Sequence, residues 1–132
     1  MSMPRLLSAI VLLAAMAGAM AAPPKVRVTG VYSDLAYVEE AGDLVGTEIF
    51  IGYQGDNKYF ALVQCAEGSP SKPQLVEVKV EGMRIQFTLP ASESSHCPAA
   101  TFTGVIGRAG LKGRYEGGGE AFTLRRKTSY WQ

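Results

Sequence analysis

Few residues in this chain are of types that do chemistry, and their spacing excludes most of what they could do. His96 is the only histidine, with Glu93 and Cys97 close by. A zinc site takes three or four ligands at suitable spacing. One imidazole and a cysteine suited to a disulfide do not supply them, so no metal is expected. Ser92, Ser94 and Ser95 stand beside the same histidine. No Gly-x-Ser-x-Gly elbow presents any of them as a nucleophile, and residues 90–98 read as a solvated loop. Glu39, Glu40, Asp43 and Glu48 are numerous enough for paired-carboxylate work. They crowd around the turn signal Ala41-Gly42-Asp43 and read as a solvated rim. Gly117-Gly118-Gly119 precedes no helix and is not a phosphate loop. The expectation is a protein that is not an enzyme, with no catalytic residue and no cofactor.

The basic cluster Arg125-Arg126-Lys127 is more informative. Strand alternation gives Arg126 the parity of Phe122 and Leu124, so it points inward or to the end of a barrel. One reading makes it an anchor for a ligand's anionic group. The other stacks it on Tyr32 or Trp131, a cation–π contact closing one end. Tyr32, Tyr53, Phe87, Tyr115 and Arg126 are the candidate ligand-binding residues. The terminal Tyr130-Trp131 is expected to pack over the open end of the barrel.

The elements that must position these residues are strands. In residues 75–89, Val76, Val78 and Val80 alternate with Glu77 and Lys79. After a turn at Glu81-Gly82, Met83, Ile85, Phe87 and Leu89 alternate with Arg84, Gln86 and Thr88. A period of two with one apolar face marks half-buried antiparallel strands, and a Gly suits the tight turn between them. The same grammar predicts strands over residues 25–32, 44–53, 58–66, 99–107, 111–116 and 120–129. Residues 35–40 read as a connector or a short strand. Residues 58–66, apolar on both parities, should be covered on both faces or be central. Residues 67–73 and 90–98 read as loops. About eight strands in an up-and-down meander leave two open edges unless they close. The expected fold is therefore all-β, a small antiparallel barrel, with a two-sheet sandwich as the alternative.

Residues 1–22 have the layout of a secretory signal peptide: Arg5, an apolar run over 6–20, then small residues ending in Ala19-Met20-Ala21-Ala22. The run is shorter than the ~20 residues of a spanning helix, so cleavage rather than membrane insertion is expected. Residues 23–132 then form one barrel domain. Loss of Arg5 leaves 13 − 1 = 12 basic residues against 12 acidic ones. That neutrality disfavours nucleic acid as a partner. Cys65 and Cys97, an even pair in an exported chain, are expected to form a disulfide. The expected location is periplasmic or secreted.

Three features resemble the calycin-like barrels, the group that includes lipocalins. Gly30-Val31-Tyr32 sits on the first strand, where lipocalins have Gly-x-Trp. Eight meander strands follow. Arg125 and Arg126 lie on the last strand, where lipocalins place an Arg against that ring. Here Tyr replaces Trp, no long lid follows the first strand, and the chain is shorter. The stretches FTGVIGRAGLKGRY and TLRRKTSYWQ also resemble small secreted bacterial proteins of unknown function. The resemblance implies a binding module for a small apolar ligand. The alternative is a filled barrel that meets another cell-envelope protein through its surface, for example as an enzyme inhibitor. Small periplasmic barrels with one disulfide include lysozyme inhibitors, an analogy of fold alone. The sequence leaves open whether the interior is hollow or filled.

Overall fold

The computed structural model describes residues 25–132, so the signal peptide expected over 1–22, and Pro23-Pro24, lie outside the described residues. Nine strands follow in order: β1 (Gly30–Ser33), β2 (Ala36–Val38), β3 (Asp43–Gly55), β4 (Lys58–Pro70), β5 (Gln74–Glu81), β6 (Arg84–Thr88), β7 (Thr101–Gly107), β8 (Gly110–Tyr115) and β9 (Phe122–Arg126). All neighbours are antiparallel, and β1 pairs with both β3 and β9. Eight strands thus close into a barrel, with β2 as an extra strand beside β3. The all-β barrel is the fold, and the sandwich alternative is set aside.

The hairpins follow from their turn residues. Asp56 and Asn57, both at positive φ, join β3 to β4, a geometry that Asp and Asn tolerate. Gly82 (φ +61) and Met83 join β5 to β6, so Met83 belongs to the turn rather than to the strand. One side-chain parity faces inward throughout. Tyr32, Ile49, Ile51, Ala61, Val63, Val78, Ile85, Phe87, Leu89, Phe102, Ile106, Leu111 and Leu124 are buried together. The predicted alternation is what places them there.

Three sequence expectations change. Residues 25–29 are not strand, because side chains and not a neighbouring strand take their carbonyl groups, as described below. The strand begun at Lys58 continues to Pro70 instead of ending at 66. Its outer half pairs with residues 44–48 of β3 and has no β5 partner beyond Val63. An edge position of this kind tolerates a Pro. β4 is also not covered on both faces: Phe60 is half-buried and Leu62 is exposed on its outer side.

The break between β1 and β2 has a specific cause. Ser33 pairs with Glu48 and Ala36 with Val45, so the register is the same on both sides of the break. Between them, the Asp34 N–H donates to the Thr47 carbonyl at 3.1 Å. Thr47 N–H does not return to the Asp34 carbonyl and donates instead to the Asp34 carboxylate at 2.6 Å. The side chain substitutes for its own backbone in the ladder. The chain bends there without gaining or losing a residue.

Candidate functional site

The barrel has two ends of different build and one unusual outer wall. The hairpin end carries the β3–β4, β5–β6 and β7–β8 turns, and the Ile106 N–H donates to the Met83 carbonyl across it. An arm formed by residues 25–29 crosses this end. Arg126, the last residue of β9, bolts the arm down. Its guanidinium donates to the carbonyls of Arg27 and of Thr29 (2.7 Å) and to the Tyr32 hydroxyl (2.6 Å). It also lies over the Tyr32 ring, 4.8 Å from the centroid. Tyr32 is fully buried and its hydroxyl donates to the Val28 carbonyl at 2.6 Å. Burial pushes the Tyr32 hydroxyl pKa up, and the charge of Arg126 partly opposes that rise. Gly30 is required here: it sits at φ +144, and an Arg126 guanidinium nitrogen fills the space of its missing Cβ. Of the two readings of Arg126, the geometry is that of the end-closing contact.

The loop end is closed differently. Cys65 on β4 is bonded to Cys97 in the loop before β7, with Cα atoms 5.2 Å apart. That pairing is consistent with an oxidising environment. The loop is further held by Lys72 N–H donating to the Ser94 carbonyl and by the Ser95 hydroxyl on Gln74. Ser92 and Ser94 hydrogen-bond to each other, and His96 is exposed. The serines therefore serve the loop. Beneath it lies an aromatic cluster. Phe87 stacks on Phe102 at 5.0 Å, and Phe102 meets Tyr115 edge-on at 5.3 Å. Gly113 makes room for the Phe102 ring, which would collide with any Cβ at that position. The Tyr115 hydroxyl is buried with no hydrogen-bond partner, and burial pushes its pKa up to about 12.

The outer wall is the part least visible from residue alternation. Val31, Phe50, Leu62 and Leu75 are direct partners across β1, β3, β4 and β5. They form one apolar row on the outside of the barrel, and Leu75 is 68% exposed. Phe60 meets Phe50 edge-on beside the row. The C-terminal residues lie against this wall and not over a barrel end as expected. Glu48, read from sequence as a solvated rim acid, is buried. Its carboxylate accepts from the Ser129 hydroxyl (2.5 Å) and the Tyr130 N–H (2.8 Å). The Trp131 indole donates to Gln64 at 2.8 Å, and Gln64 donates to the Ser71 carbonyl at 2.7 Å. Nothing local marks Glu48 for this role, since its partners come 81 residues later. Of the other three acids, Glu39 and Glu40 are exposed and Asp43 is half-buried at the start of β3.

The five candidate ligand-binding residues are therefore not one site. Tyr32 and Arg126 make the bolt, and Phe87 and Tyr115 fill the loop end. Tyr53 is separate from both, an exposed ring 5.2 Å from Tyr59 whose hydroxyl accepts from Asn57 N–H at the hairpin end. Among the described residues, no three of His, Cys, Asp and Glu gather as a metal ion would need. No protein family, curated protein or solved structure matches the chain.

Proposed function

We propose that this is an exported, non-enzymatic interaction module with a solid core, whose partner is another protein of the cell envelope. One observation carries the reading: inward side chains fill the barrel, while an apolar row spans four strands of its outer wall. A barrel of eight strands encloses either packed side chains or one small ligand. Here Tyr32 at one end, Phe102 at the other, and Ile49, Ile51, Ile85, Leu111 and Leu124 all fall below 2% exposure. The row outside is of the kind that proteins cover with a partner. The tail clasped by Glu48 flanks the row and gives it a fixed border. The disulfide and the apolar leader support export to the periplasm or beyond.

The alternative is a carrier of one small apolar molecule, which requires these side chains to move aside. Native mass spectrometry of the protein from its own envelope separates the two readings. A bare mass is expected, and a retained small molecule would establish the carrier. A photo-crosslinking residue at Leu75 should then give a discrete adduct with one envelope protein. The same residue at Lys112, exposed on the opposite wall, should not. Equal labelling from both positions would overturn the interaction reading.

A further inference from the structure

The hairpin end carries a second feature, apart from the apolar row of the outer wall. A cleft of about 580 Å³ opens between the arm 25–29 and the tips of the β3–β4 and β5–β6 hairpins. Small-molecule sites are concave, mainly apolar and furnished with a few placed polar groups, at roughly 300–1,000 Å³. The cleft has that composition. Tyr53 and Tyr59 present two rings tilted by 60°, while Val28 and Met83 supply an apolar floor and Lys25 and Arg27 two cations. Asp56 and Glu81, the acids of the two turns, are not in its lining.

We propose that this cleft binds a planar aromatic anion. The chemistry follows from the lining. Tyr53 is 54% exposed, so it costs little to cover, and its ring can stack on a flat apolar partner. The Met83 thioether adds a polarisable contact to an aromatic edge. The cations Lys25 and Arg27 are both exposed and stand on one wall. Arg offers a planar fork that matches a carboxylate, sulfonate or phosphate. The site is also prepared in advance. The carbonyls of Arg27, Val28 and Thr29 are all committed to the Tyr32–Arg126 bolt. The arm is therefore held in place before a ligand arrives, which reduces the ordering cost of binding. Arg126 acts here as a positioning residue, turned away from the ligand it helps to seat. The site lies outside the barrel and is independent of whether the outer wall meets a protein.

The test uses two fluorescent probes of similar shape, anilinonaphthalene sulfonate and the uncharged N-phenylnaphthylamine. The sulfonate should bind the oxidised protein saturably at one site. Tyr53→Ala should weaken both probes by about tenfold, and Arg27→Gln should weaken the sulfonate alone by a similar factor. Both substituted residues are exposed, so the variants should keep the parent melting temperature. Amide shift changes in the unmutated protein, mapped with the sulfonate, should gather at residues 25–29, 53–59 and 82–83. Three results would each overturn the proposal: no saturable binding, affinities unchanged in both variants, or shifts gathered on the outer wall around Phe50 and Leu75.

Discussion

The two ends of the barrel close the same cylinder by opposite means. At the hairpin end no covalent crosslink is used, and Arg126 gathers the polar groups of the arm. One guanidinium serves two carbonyls, a hydroxyl and a ring face. At the loop end one covalent bond does the tying, and the aromatic cluster beneath it leaves the Tyr115 hydroxyl unpaired. The difference shows how much specification each closure needs. A crosslink fixes a loop whatever lies under it, so an imperfect polar group is tolerated there. A closure made only of hydrogen bonds has no such reserve, because each buried donor or acceptor left without a partner costs about 1–3 kcal/mol.

That contrast can be broken at either end. Reducing Cys65–Cys97 should have the largest effect. A sequence separation of 32 residues corresponds to roughly 3–4 kcal/mol of loop-closure entropy, and the expected signature is a fall of many degrees in melting temperature. Amides near Arg126 should keep their hydrogen-exchange protection under conditions where the protein stays folded. Equal melting with and without reductant would mean that the loop end holds without its crosslink. Next in size is Arg126→Met, which keeps the stem and removes the donors. A loss of about 2–3 kcal/mol is expected, with exchange protection lost from residues 27–32 first. Arg126→Lys should restore little, since one ammonium cannot serve acceptors spread in a fork. Full recovery by Lys would reduce the bolt to a simple positive charge.

The smallest effect sharpens the comparison most. Tyr115→Phe removes a hydroxyl that has no partner, so stability at neutral pH should hold or rise by up to about 1 kcal/mol. The sign in alkali follows from linkage. Tyr115 ionises near 10 when unfolded and near 12 when folded. Its contribution is thus complete below pH 10 and is lost as pH rises from 10 to about 12. Thermal melts across that window should fall less steeply in Tyr115→Phe than in the parent. Destabilisation of the variant at pH 7 would show that the hydroxyl is satisfied after all.

Much of this was readable from alternation. The inward set from Tyr32 to Leu124 and the tight hairpins follow from period and turn chemistry, and the disulfide from an even pair of cysteines in a chain read as exported. Arg126 lies at the barrel end, one of the two directions its parity allows, and of the two aromatic partners expected for it, Tyr32 and Trp131, it meets Tyr32. What alternation does not carry is a side chain acting in place of backbone. Residues 25–29 look like a strand because their pattern is that of one, yet their carbonyls are served by an Arg 97 and 99 residues away. Glu48 looks like a rim acid because its partners lie at the far end of the chain. Whether the interior is hollow is a matter of summed side-chain volume, which no single position announces. Tyr53 was picked out with four other residues, and only its position beside Tyr59 and the arm shows which of the five faces solvent in a cleft.

The pairing of β1 with β9 has a consequence for how the chain acquires its shape. Only Tyr32 and Ser33 meet β9, through Arg126 and Arg125, so the seam joins the earliest strand to the latest. A ring of this kind has no closed intermediate along the direction of synthesis. The β3–β4 hairpin can zip as soon as it emerges, because its partners are local. The circle itself waits for β9, so of all the strand pairings this one spans the most sequence and carries the largest loop-closure cost.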